Sequence, residues 1–158
     1  DPYRLDQFHS QANSGTGTAG TLPCLFLSSL VSGTDPDDTD LAHPDVAAMT
    51  SLAVDHVGFS NDLFSAAKEA AVEETPLQLP LVLMREHDCG LDDAVQKSSQ
   101  ICDDIVHEFL RYRRRVEHGA SPALLGYFDV LQGWMRGNID WSLSCGRYNM
   151  WTSSAQPR

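Results

Sequence analysis

Apolar residues recur along the chain at three- and four-residue intervals, and no segment alternates with period two for long. The longest such run, PDVAAMTSLAVDHVGFSNDLFSAAKEAAVEE (residues 44–74), opens on Pro44 and predicts a helix of roughly eight turns. Pro76 and Pro80 punctuate the next segment, and LPLVLMREH (79–87) predicts a shorter helix ending near Gly90. A third helical pattern runs from Leu91 to His118. Asp92 and Asp93 lie in its first turn and Arg111 to Arg115 near its end, a polarity that suits the helix dipole. The last helix is predicted from Ser121 as N-cap and Pro122 at the first position, through Trp134 and Trp141, to about Gly146. Upstream, NSGTGTAGTLP (13–23) and SGTDPDDTD (32–40) read as loops. The apolar run CLFLSSLV (24–31) between them is too short to decide between helix and strand. The pattern as a whole predicts an all-α fold.

Composition adds limits. With 158 residues the chain can build one domain with a core, and 42% apolar with 21% charged residues is the balance of a soluble globular protein. Net charge is −11, concentrated in residues 1–67, which hold nine acidic residues against Arg4 alone. Nucleic acid and anionic membranes need clustered positive charge, so neither is expected as a partner. No window approaches 18 uninterrupted apolar residues, so no membrane span is expected. The first residues, DPYRLDQFHS, lack the basic and apolar regions of a signal peptide and a starting Met, the expectation being a processed, trimmed or incomplete chain. Cys24, Cys89, Cys102 and Cys145 form no CxxC pair, which argues against zinc and predicts buried free thiols in a reducing, cytoplasmic setting.

Candidate chemistry sits on the long first helix. Met49, Ala53, Val57, Asn61, Ser65 and Glu69 form one row at four-residue spacing, apolar at its start and oxygen-rich at its end. Amide, hydroxyl and carboxylate oxygens are hard donors that suit Mg²⁺ better than zinc, and Mg²⁺ needs few protein ligands when substrate phosphates supply others. Lys68, beside Glu69, could meet an anion carried by the metal. The bland reading of the same row is two small polar fillers and a solvated glutamate.

Three motifs shift that balance. NDLFSAAKE (61–69) resembles the second metal-binding motif of class I terpene synthases, an Asn-Asp-x-x-Ser-x-x-x-Glu pattern with Lys before the Glu. WMRGNIDWSLSCGRY (134–148) resembles that family's C-terminal helix, which closes on an Arg-Tyr pair, and LVLMREHDCGLDDAV (81–95) resembles the segment after the metal motif. The resemblance implies an antiparallel helical bundle around a deep apolar pocket, present here as its C-terminal portion. Residues 1–43 would be a loop-rich segment with one short helix, 44–148 the helical part and 149–158 a tail. It also implies a Mg²⁺-dependent lyase that ionises a linear prenyl diphosphate, geranyl or farnesyl diphosphate, and lets the carbocation cyclise. Carried over by position, Asn61, Ser65 and Glu69 would hold Mg²⁺. Lys68, Arg147 and Tyr148 would bind diphosphate, the last two as catalytic residues, and Val57 and Trp141 would line the substrate pocket. Fixed cations belong beside the departing charge, and a Trp face can stabilise a cation in a dry cavity.

The chain also departs from the pattern. No Asp-rich first metal motif stands where the family has it: DPDDTD (35–40) lies in a Pro-rich loop too near Asn61, DDIVHE (103–108) falls after it, and Asp92 and Asp93 are first-turn acids. SQANSGTGTAGTLPC (10–24), where a diphosphate-sensing Arg would fall, has no basic residue. The expectation is therefore part of a synthase, inactive by itself, that pairs with a missing N-terminal half or a second copy. The alternative is a non-catalytic helical fragment or pseudoenzyme derived from a synthase. A chain-elongating prenyltransferase, which uses two Asp-rich motifs, fits less well.

Overall fold

A computed structural model describes residues 20–69 and 78–146, with residues 67–69 as backbone only. In chain order the helices are α1 (Thr21–Val31), α2 (Asp38–Ala42), α3 (Pro44–Glu69), α4 (Leu79–His87), α5 (Leu91–Val116) and α6 (Pro122–Ser144), with a 3₁₀ turn at Glu117–Gly119 between the last two. No strand occurs among the described residues. The fold is the all-α bundle that the periodicity predicts.

Local chemistry sets the helix ends. Ser121 Oγ accepts from Leu124 N at 3.1 Å, an N-cap of about 1 kcal/mol, with Pro122 behind it. The acids of α5 are in its first turn and Arg113, Arg114 and Arg115 in its last. Two expectations are corrected here. Residues 32–40 are not loop throughout: Asp37 accepts from Asp40 N at 2.8 Å and caps the short helix α2. The thiols are not uniformly buried either, since Cys24 is exposed on α1, Cys89 and Cys145 are half-covered, and Cys102 alone is buried. Burial first, then the charges of Asp103 and Asp62, pushes the Cys102 thiol up to about 12, so it stays protonated at neutral pH.

Packing follows the apolar stripes. α3 lies most extensively against α5, and α6 packs on α3 and on α1. Arg115 Nε at the end of α5 meets Asp45 Oδ2 at the start of α3 at 3.3 Å, so these two helices run antiparallel. Arg113 Nη2 to Asp129 Oδ1, 2.8 Å, shows the same for α5 and α6. α3 and α6 therefore run in the same direction, joined near one end by a 2.9 Å hydrogen bond between Tyr127 Oη and Thr50 Oγ1. Thr50 already donates to Val46 O, which leaves the tyrosine as donor. Leu83, Ile105, Phe109, Tyr127, Phe128 and Leu131 fill the centre, all sealed from water.

α1 reaches α6 by a close approach. A Cβ on Gly126 would lie 2.3 Å from Thr34 Cγ2, and Thr34 cannot easily retreat because its hydroxyl donates to Ser29 O at 3.0 Å. Gly126→Ala is expected to destabilise the chain by about 1–2 kcal/mol, steric overlap outweighing the gain in helix propensity. Urea unfolding should show the loss, and Thr34→Ser, which removes the offending methyl and keeps the hydroxyl, should restore most of it.

Candidate functional site

Along α3 the predicted row stays largely covered over its described length. Met49 and Ala53 are sealed, Val57 is buried, Asn61 is half-buried, and Ser65 one turn later is buried again at 4% exposure. Ser65 Oγ has only a long 3.4 Å contact to Asp62 O, so its hydroxyl is weakly held. The side chains of Lys68 and Glu69, and the residues Arg147 and Tyr148, lie outside the described residues. Asn61 and Ser65 are hard-oxygen donors one turn apart, which fits Mg²⁺. Among the described residues no group of three or more His, Cys, Asp and Glu side chains is placed to hold a metal.

Two residues to which the sequence assigns no role brace this turn. Asp62 Oδ2 accepts from Leu79 N at 3.0 Å, tying the start of α4 to the residue beside Asn61. Asn138 Nδ2 donates to Ser60 Oγ at 2.8 Å and reaches Val57 O at 3.3 Å, while Ser60 Oγ donates to His56 O at 2.6 Å. The signal for Asn138 was its place in the inward row of α6 with Leu131 and Met135, where an amide needs partners on a neighbouring helix.

Asn138 also stands on the wall of a groove of about 510 Å³ between α1 and α6, with Ser28, Trp134, Gly137 and Trp141. Trp134 Nε1 donates to Ser28 Oγ at 2.9 Å, which holds the two walls together. Trp141 is on the wall and half-exposed; Val57 stands behind it, its carbonyl against Asn138. Asn138 thus links the groove wall to the helix turn that leads to Asn61.

His56, five residues before Asn61, is 3% exposed, and its Nδ1 is sealed with no hydrogen-bond partner among the described residues. Burial lowers its pKa below the ordinary 6.5, with the Asp103 charge pulling weakly the other way. The unfolded chain then binds a proton that the folded chain resists, so stability is full above about pH 7 and falls as pH drops through the ordinary histidine range. Melts from pH 8 to 5 should show a steeper loss in the wild type than in His56→Leu.

Comparison with known proteins agrees with this architecture. The family model described as terpene synthase family 2, C-terminal metal binding, matches residues 6–108. Bonnadiene synthase from Allokutzneria albata is 32% identical over 145 residues, 92% of this chain and 40% of that protein. The (2E,6E)-farnesyl diphosphate-cyclizing 4-epi-cubebol synthase of Streptosporangium roseum is 28% identical over 141 residues, 89% of this chain and 43% of that protein. The crystal structure of 2-methylisoborneol synthase from Streptomyces coelicolor A3(2), in complex with Mg²⁺ and geranyl-S-thiolodiphosphate, superposes with a TM-score of 0.75 at 26% identity, over 80% of this chain and 41% of that one. The chain spans about two fifths of the length of these relatives. With a metal-binding family model over most of its length and synthases of the same bundle as its relatives, the chain belongs to terpene synthase family 2.

Proposed function

We propose that this chain is the metal-binding portion of a Mg²⁺-dependent terpene cyclase that acts on a linear prenyl diphosphate, geranyl or farnesyl diphosphate. The observation that carries the reading is the α3 row: a buried apolar stretch continues into Asn61 and Ser65, and Asn138 on the wall of the α1–α6 groove is hydrogen-bonded to the turn just before them. In this reading the Asn61 amide oxygen, the Ser65 hydroxyl and the Glu69 carboxylate hold the metal. Bound magnesium would supply positive charge against the diphosphate leaving group. Lys68, Arg147 and Tyr148 bind the diphosphate oxygens and stabilise the charge that leaves with them. The groove holds the hydrocarbon chain, with the Trp141 face toward the cationic carbon and Val57 behind the wall. Asp62 and Asn138 position the metal-binding turn, Asn138 from the groove wall itself.

The test is a thermal melt with Mg²⁺ plus pyrophosphate, against each alone, in the wild type and Asn61→Ala. A ligand pair at about a hundred times its dissociation constant adds roughly 2.7 kcal/mol, a shift of several degrees in a domain of this size. The expected result is a shift that needs both ligands and disappears in Asn61→Ala. A cooperative melt that neither ligand moves would remove the metal role from this row.

A further inference from the structure

A second cavity, of about 190 Å³, lies where α3, α5 and α6 meet, and it shares no wall residue with the α1–α6 groove. Its walls are Val106 and Phe109 from α5 and Met135 and Ile139 from α6, with His56 on the α3 side. The polar residues at its edge are already engaged. Arg136 Nε is bonded to both carboxylate oxygens of Asp140 at 2.9 and 2.8 Å, and the Gln132 carbonyl accepts from Arg113. Arg136 and Gln132 are both exposed side chains at the rim. His56 is the buried polar residue on the wall.

The chemistry of that histidine decides what the cavity can take. Its Nδ1 is sealed with no partner among the described residues, so a proton placed there would bury an N–H with nothing to accept it. The proton therefore belongs on Nε2, the other ring nitrogen, and burial favours the neutral ring. We propose that this cavity is a second binding site, for a small neutral molecule with an apolar body the size of one six-membered ring and a single acceptor oxygen, which the Nε2–H of His56 recognises. The size follows from the volume, since an apolar cavity of about 150 Å³ accommodates benzene. Neutrality follows from the uncharged ring and the engaged edge. The acceptor follows from the sealed Nδ1. Because His56 O also accepts the Ser60 hydroxyl that Asn138 holds, an occupant here touches the same stretch of α3 that leads to Asn61.

Cyclohexanone and methylenecyclohexane have nearly the same shape and differ in the acceptor oxygen, which makes them the probes. Each is titrated into the full chain carrying ring-labelled histidine, with the His56 resonance assigned by its absence in His56→Phe. The expected result is a saturable shift of the His56 ring with cyclohexanone and binding at least tenfold weaker with methylenecyclohexane. Val106→Phe, which fills the cavity, should abolish both, with Ile139→Phe as the alternative filler if the first variant does not fold. His56→Phe, followed through the Met135 methyl, should bind the two probes equally. A cyclohexanone shift that never saturates, equal binding of both probes by the wild type, or binding that survives a folded filled variant would each overturn the assignment.

Discussion

Phe109→Ala is expected to lower the unfolding free energy by about 3–5 kcal/mol. Phe109 is 1% exposed on the inward face of α5, on the same stripe as Ile101 and Ile105, in the core to which α6 contributes Phe128, Leu131 and Met135. Its ring is also a wall of the α3–α5–α6 cavity. Truncation therefore opens the new void into an existing one, and the surroundings have little to collapse onto, which places the loss toward the upper end of that range. Single domains hold only about 5–15 kcal/mol in total, so the variant should be close to unfolded at physiological temperature. Urea unfolding at 25 °C followed by circular dichroism measures it. A loss below about 1 kcal/mol would mean that Phe109 is not buried in the core as described.

The second large effect concerns turnover. Incubated with Mg²⁺ and geranyl or farnesyl diphosphate, residues 1–158 alone are expected to yield no cyclic hydrocarbon above the enzyme-free control. The groove between α1 and α6 is open to water, and Trp141 on its wall is 50% exposed. A carbocation formed in such a groove meets water before it can cyclise, since exclusion of solvent is what protects reactive intermediates. Two acids of the DPDDTD stretch are also engaged elsewhere, Asp37 capping α2 through Asp40 N and Asp40 Oδ2 accepting from Ser121 Oγ at 3.3 Å. Gas chromatography of the extract decides the matter. A linear alcohol would agree with water capture, whereas a clean cyclic product would show that this portion shields its own cation.

The long helices were legible because their ends are written in residues with local reasons: Pro44, the Ser121-Pro122 pair, and the acid-to-arginine gradient of α5. α1 was not, and the reason is physical. Its buried positions are Leu25 and Ser29, while Leu27, Leu30 and Val31 face outward at 61%, 67% and 87% exposure, so its hydrophobic pattern does not point to its contact face. α2 escaped because a five-residue helix rests on one capping bond, from Asp40 N to Asp37, in a stretch whose Pro and Asp content reads as loop. The α3 row, as positions on one helix face, could be read from spacing, whereas the metal role proposed for it comes from the resemblance of NDLFSAAKE to a known motif. The bracing by Asp62 and Asn138 could not be read in either way, because it depends on which helices meet at residues 57 to 62, and spacing within one helix does not contain that. The sealed imidazole of His56 belongs to the same class of feature.

The hydrogen bond from Trp134 to Ser28 gives the chain a built-in optical gauge. Indole emission reports the polarity around the ring, and Trp134 is held in the α1–α6 junction by that bond. If α1 lifts away before the rest of the bundle melts, emission should move to longer wavelength while ellipticity falls only by the share of an eleven-residue helix. Coincident optical and ellipticity transitions would instead mark α1 as part of the same cooperative unit as α3, α5 and α6.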